Sequence, residues 1–139
     1  MDSMKVLLVD DEAEFLETLV KRLAKRNITA TGVESGEKAL EALEKNDVDI
    51  VVLDVKMPGM DGIETLREIK NRSPIVEVIM LTGHANLEVA IQGMEYGAFD
   101  YLMKPISIDE LLYKLEDANQ KRRLHVDKIK RREGRSASH

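Results

Sequence analysis

Apolar residues in this chain fall into two rhythms. Short continuous runs come first: Val6-Leu7-Leu8-Val9, Ile50-Val51-Val52-Leu53, Val76 to Leu81 (interrupted by Glu77) and Tyr101-Leu102-Met103. Unbroken apolar runs predict strands covered on both faces, as in a parallel sheet between helices. A more polar segment, Thr29-Ala30-Thr31-Gly32-Val33, suits an edge strand. Between the runs, apolar residues recur every three or four positions. Leu16, Leu19, Val20 and Leu23 predict a helix over 12–26, and Ala39, Leu40, Ala42 and Leu43 one over 36–45. Ile63, Leu66 and Ile69 predict 62–71, Val89, Ala90, Ile91 and Met94 predict 87–96, and Ile108, Leu111, Leu112 and Leu115 predict a helix from about Ser107. Ser107 with Glu110 fits a capping box, and Asp11 with Glu14 and Asp61 with Glu64 fit Asp-led helix starts. Five β/α units are too few for an eight-stranded barrel. The fold class is therefore α/β, with a five-stranded, parallel, doubly wound open sheet and right-handed connections.

The composition narrows the setting. A chain of 139 residues corresponds to one domain able to bury its own core. Cysteine is absent, which excludes disulfides and thiolate metal sites and predicts a reducing, cytoplasmic compartment. No apolar run approaches the ~20 residues of a membrane span. The start, Met1 to Lys5, is too short and polar for a signal peptide. Aromatics are 4% and tryptophan is absent, so a base-stacking surface is not expected.

The net charge of -5 is unevenly spread. Residues 121–139 carry eight Lys or Arg against Asp127 and Glu133, and are +6. Residues 1–120 carry thirteen positive and twenty-four negative charges, and are -11. An acidic body argues against direct nucleic-acid binding by the globular part.

The residues that follow each strand carry the chemistry. Asp10, Asp11 and Glu12 follow Val9, Asp54 follows Leu53, Thr82 follows Leu81, and Lys104-Pro105 follow Met103. In a parallel sheet these positions share the carboxyl edge, where open α/β sheets bind ligands. Carboxylates of Asp10, Asp11 and Asp54 crowded there repel one another, and at least one pKa should rise. A hard divalent cation relieves that repulsion, and carboxylate oxygens with water suit Mg²⁺. Lys104 adds an ammonium and Thr82 a hydroxyl, which completes a cradle for a tetrahedral oxyanion beside Asp54. Asp54 is then the natural nucleophile, forming an acyl phosphate.

These segments, taken in order, resemble a known family. Val9-Asp10-Asp11-Glu12, Leu53-Asp54-Val55-Lys56-Met57-Pro58-Gly59-Met60-Asp61-Gly62, Leu81-Thr82-Gly83-His84-Ala85 and Lys104-Pro105 look like a response-regulator receiver domain of two-component signalling. The stretch Leu81 to Pro105 looks most like receivers of nitrogen-regulator-type transcription activators. The resemblance covers residues 4–120 and leaves 121–139 as a basic helical extension with a disordered tail from Gly134. It implies a flavodoxin-like, CheY-like (βα)5 sheet ordered 2-1-3-4-5. It implies a phosphorylation-dependent switch rather than a turnover enzyme. Asp54 would take a phosphoryl group from a sensor histidine kinase or phosphotransfer protein. Asp11, Asp54 and the backbone carbonyl of Lys56 would ligate Mg²⁺, with Asp10 acting through water. Thr82 and Lys104 would contact the phosphoryl oxygens, and the Lys104–Pro105 bond would be cis. Tyr101 would turn inward as Thr82 moves. Lys56 and His84 occupy tuning positions. The output face would be 87–119, where phosphorylation would favour a homodimer, with no membrane partner.

Simpler readings stand beside these. Asp10 and Asp11 could cap a helix, although a cap does not require two acids. Taken singly, Asp54 could be a strand-end turn residue, Thr82 a capping hydroxyl and Lys104 a solvated loop lysine. Tyr101 fits a core or surface tyrosine nearly as well as a switch. Gly93 and Gly97 each weaken the helix over 87–96, which marks it as a mobile element. Met57 and Met60 suit either packing or kinase contact. The basic extension reads first as a solvated helix. Its second reading is a weak coiled-coil seam through Arg122, His125 and Ile129, and its third is charge-only nucleic-acid contact. Two other functions compete. A phosphohydrolase would pair Asp54 with a second acid, but Lys56 stands there; a dinucleotide binder would place glycines where Asp10-Asp11-Glu12 stand.

Overall fold

A computed structural model describes residues 4–56 and 61–137. Its strands are β1 (Lys5–Val9), β2 (Thr29–Val33), β3 (Ile50–Asp54), β4 (Glu77–Thr82) and β5 (Asp100–Met103). Its helices are α1 (Ala13–Ala24), α2 (Gly36–Lys45), α3 (Gly62–Arg72), α4 (Leu87–Glu95) and α5 (Ile108–Ala137), with a 3-10 turn at His84–Asn86 before α4. All strand pairs are parallel and the order is β2-β1-β3-β4-β5, as the resemblance implied.

The apolar runs bury both faces of the sheet because successive strand residues point to opposite sides. Leu7, Val9, Val51, Leu53, Val78 and Met80 join one core with Ala39, Leu40, Leu66, Ile69 and Ala90 of α2, α3 and α4. Val6, Leu8, Ile50, Val52, Ile79, Leu81 and Leu102 join the other with Leu16, Leu19 and Leu23 of α1 and Leu111, Leu115 and Ala118 of α5. Edge strand β2 is the polar segment, mostly exposed.

Several boundaries differ from the sequence reading. Asp54 and Thr82 are the last residues of β3 and β4 rather than loop residues after them. Asp54 lies opposite Leu81, and Thr82 opposite Met103, so the ladder holds both backbones. The N-cap of α1 is Glu12, with no side-chain cap, so Asp11 does not close that helix start. Asp61 does cap α3 by accepting from the Glu64 N–H at 2.8 Å, and Ser107 accepts from the Glu110 N–H at 3.3 Å.

The two glycines assigned to mobility have other roles. A Cβ on buried Gly93 would lie 2.4 Å from Met80 Sδ, so this glycine lets α4 approach the sheet closely. Gly97 lies beyond α4 with φ +101°, a left-handed geometry that glycine adopts without strain.

Helix α5 also departs from expectation. It runs 30 residues, about 45 Å, without a break and passes Gly134 to Ala137, where the sequence predicted disorder. One glycine costs about 1 kcal/mol in a helix, too little to stop one flanked by Arg131, Arg132 and Glu133. His125, which the coiled-coil reading places on its seam, is exposed in this helix, as the solvated-helix reading expects. The half-buried positions of this stretch are Arg122, Val126 and Ile129.

Gly62 holds the close contact nearest the sheet's carboxyl edge. A Cβ there would meet Val55 Cα at 2.5 Å and the Asp54 carbonyl oxygen at 2.7 Å, both backbone atoms. Gly62→Ala should therefore lower stability by roughly 3 kcal/mol, because neither partner can rotate away. Urea unfolding of the two proteins measures this, and an unchanged midpoint would contradict it.

Candidate functional site at the carboxyl edge of the sheet

Asp10 follows β1, and its backbone N–H donates to the Val33 carbonyl at 3.1 Å, which extends the β1–β2 ladder. Its side chain is 1% exposed. Oδ1 accepts from the Glu12 N–H at 2.9 Å, a local turn that Asp favours at strand ends. Oδ2 accepts from Lys104 Nζ at 2.9 Å, across 94 residues of sequence. Asp54 repeats this arrangement. It is 6% exposed, and its Oδ1 accepts from the Lys56 N–H at 3.2 Å. Its Oδ2 lies 3.8 Å from the same lysine nitrogen. One ammonium thus faces two buried carboxylates carried by neighbouring strands.

Lys104 arrives from the far side of the sheet. Its backbone N–H donates to the Thr82 carbonyl at 2.8 Å, and the Lys104–Pro105 peptide is cis. Its ammonium also lies 4.7 Å from the centroid of the Phe15 ring in α1. Burial opposes the charge on Lys104. The hydrogen bond to Asp10 and the fields of Asp54, Asp10 and Glu12 outweigh it and hold its pKa above 10.5.

Negative charge exceeds positive at this edge. Asp10, Asp11 and Glu12 each place one carboxylate oxygen within 4.8 Å of the others, and the latter two are exposed. With Asp54, four carboxylates stand at this edge among the described residues, and Lys104 pairs with two of them, Asp10 and Asp54. Burial pushes the Asp54 carboxyl up from 3.8 to about 6. Asp10 adds to that rise, Lys104 and the Lys56 N–H oppose it, and Asp11 adds a smaller push. Burial is thus the main cause of the rise, and the expected crowding by Asp10 and Asp11 adds to it. All the donors are hard oxygens in an excess of negative charge, which fits Mg²⁺. Glu12 belongs to this oxygen cluster although the sequence reading gave it no ligand role. Its place directly after Asp11 was the available signal.

Other expected residues sit nearby with different present partners. Thr82 is fully buried, and its hydroxyl donates to the Gly83 carbonyl at 2.9 Å rather than to Asp54. Tyr101 is half-buried against the core shared with α4. Lys56 and His84 are exposed, and Met57, Pro58, Gly59 and Met60 lie outside the described residues. The sequence reading missed Phe15, because nothing in the periodicity of α1 separates a half-buried core residue from one that meets a lysine.

A family model described as a response regulator receiver domain matches residues 6–116. The chain belongs to the response-regulator receiver family. The DNA-binding transcriptional regulator NtrC of Escherichia coli (strain K12) is 42% identical over 113 residues, covering 81% of this chain and 24% of that regulator. A crystal structure of a receiver domain protein from Clostridium thermocellum matches with a TM-score of 0.84 and 35% identity, over 87% of this chain and 98% of the other. NtrX from Brucella abortus, solved with ADP, matches with a TM-score of 0.85 and 29% identity, over 91% of this chain and 29% of that one. The receiver spans about a quarter of the length of the curated relatives it matches. Among its described residues, no helix is long and apolar enough to cross a membrane.

The raised Asp54 pKa makes a signed prediction for this receiver. An acid whose folded pKa is raised destabilises the fold while ionised, fully above about 6 and not at all below 3.8. Stability contributed by this group therefore rises as pH falls through that window. In chelator at about pH 8, Asp54→Asn should stabilise the protein by roughly 2 kcal/mol, and the gain should vanish near pH 4. Urea unfolding at both pH values checks it, and a gain independent of pH would contradict it.

Proposed function

We propose that this receiver is a phosphorylation-dependent switch with Asp54 as phosphoacceptor. The donor is the phosphohistidine of a sensor histidine kinase or phosphotransfer protein. A carboxylate oxygen of Asp54 attacks phosphorus as the P–N bond breaks. The bond's electron pair stays on the imidazole nitrogen, which takes a proton from solvent. The observation that carries this reading is the single ammonium of Lys104, 2.9 Å from Asp10 and 3.8 Å from Asp54. Placed there, Lys104 can turn from a carboxylate to an arriving phosphoryl oxygen without leaving the site.

Mg²⁺ is the cofactor of this reading; Asp11, Asp54 and the Lys56 carbonyl would hold it, with Asp10 acting through water, and it would supply the charge that neutralises the phosphoryl oxygens. Asp54 must be ionised to attack, and burial together with the neighbouring Asp10 and Asp11 opposes that ionisation. Thr82 serves as the switch hydroxyl, leaving the Gly83 carbonyl to donate to a phosphoryl oxygen. Its position at the end of β4, beside the pairing of Leu81 with Asp54, supports that role. Tyr101 then fills the space toward the core. Exposed Lys56 and His84 flank the site and tune phosphate loss. A protein that only gains and loses its own phosphoryl group is a regulator, not a turnover enzyme.

The output face is 87–119, where Val89, Ile91, Met94, Tyr96 and Tyr113 are exposed large apolar or aromatic residues. Scattered apolar residues are ordinary, but four clustered over α4 and its C-cap, with Tyr113 on α5, suit a surface that gains a partner. We assign 4–120 to the receiver body and 121–139 to a basic extension leading away from it. The body's charge does not favour nucleic acid, and we place the protein in the cytoplasm.

Incubation with acetyl phosphate and Mg²⁺ should add one phosphoryl group, read by intact mass. Chelator or Asp54→Asn should abolish it. Undiminished labelling of Asp54→Asn would refute the assignment. Light scattering with a phosphoryl mimic should show a dimer that an Ile91→Lys variant fails to form. Equal masses with and without the mimic at high concentration would rule the dimer out.

A further inference from the structure

We infer that Phe15 is a positioning residue for Lys104. The inference rests on the reading of Asp54 as phosphoacceptor and adds a residue to that chemistry. Lys104 carries a flexible four-carbon stem and three N–H donors, so an unheld ammonium at this edge would sample every carboxylate within reach. Among the described residues, its one hydrogen-bonded acceptor is Asp10, at 2.9 Å. Asp54 at 3.8 Å attracts it without binding it closely, and exposed Glu12 also acts on its charge. Among the described residues its further contact is the Phe15 ring, whose centroid is 4.7 Å from Nζ. A ring face attracts a cation at that distance and offers no proton acceptor, so it restrains the ammonium without neutralising it.

Geometry gives the ring this role. Phe15 lies in the first turn of α1, three residues after the N-cap Glu12, so the helix start that carries the acids also carries the ring. It is half-buried and packs against the core formed with α1 and α5, together with Ile106 just after Lys104-Pro105. The ring is therefore anchored by apolar contact on one side and meets the ammonium on the other. Asp10 and Phe15 hold Lys104 from two directions, with Asp54 still within its reach. A leucine would keep the apolar anchor and lose the ring face.

Three full-chain proteins test this: the unaltered receiver, Phe15→Leu and Phe15→Tyr. Phosphoryl uptake from acetyl phosphate with Mg²⁺ should be about three- to ten-fold slower in Phe15→Leu and restored in Phe15→Tyr. Thermal melts should place both variants within a few degrees of the parent. In metal-free, donor-free protein, the Lys104 Hε protons should show an upfield ring-current shift by NMR, lost in Phe15→Leu and kept in Phe15→Tyr. Uptake by Phe15→Leu at the parent rate overturns the inference. So does Phe15→Tyr as slow as Phe15→Leu, since that marks ordinary packing. An unshifted Lys104 signal in the parent overturns the contact itself. Failure of the parent to take phosphate on Asp54 overturns the phosphoacceptor reading and this role with it, while the NMR signal still reports whether ring and ammonium meet.

Discussion

The ammonium of Lys104 is what allows two carboxylates to be buried side by side at the end of this sheet. Asp10 and Asp54 sit after β1 and at the end of β3, adjacent strands, and both are almost wholly shielded from water. Burying like charges together is strongly unfavourable unless a counter-charge is brought within reach. Lys104 supplies it from beyond β5, two strands away from β3. It does so incompletely: one carboxylate is hydrogen-bonded, the other only approached, and two further acids stand outside. That shortfall leaves the edge receptive to a cation and leaves Asp54 as the uneasy member of the set.

The opposite edge of the sheet shows the contrast. Glu77 at the start of β4 is also a buried acid, 3% exposed. There the balance is reversed, with Lys70 Nζ at 3.6 Å and Lys121 Nζ at 3.5 Å serving one carboxylate. Asp49 nearby pairs with Arg122 at 3.3 Å and accepts from the Lys5 backbone N–H at 2.9 Å. These contacts tie the beginning of the basic extension to the body, so the amino edge is electrostatically closed. Both edges bury acids, and the sign of the charge left over separates the anchoring end from the chemical end.

Much of this was legible in the chain. Unbroken runs such as Ile50-Val51-Val52-Leu53 mark two-sided burial, because a strand exposed on one face would alternate. The spacing of Leu16, Leu19 and Leu23 marks a helix face in the same way. Acids and a lysine directly after those runs had to meet at one edge once the sheet was parallel. Boundaries were less legible. Asp54 and Thr82 remain in the ladder because neighbouring strands pair with them, and Glu12 rather than Asp11 starts α1 because the Asp10 side chain has already taken the Glu12 N–H. The expected end of α5 at Gly134 failed because one glycine is a small cost against continued helix propagation.

Residue order along the chain was enough to set the fold class, the covering of both sheet faces and the gathering of Asp10, Asp11, Asp54, Thr82 and Lys104 at the carboxyl edge. Each of these follows from local periodicity and from the geometry of parallel strands. Three-dimensional packing settles which acid holds the lysine, that the Thr82 hydroxyl is turned to Gly83, that Gly93 admits the Met80 side chain and that a phenylalanine in α1 meets the ammonium. Those facts depend on distances between side chains remote in sequence. Periodicity is silent about such distances, because it records which face a residue occupies and not what stands opposite.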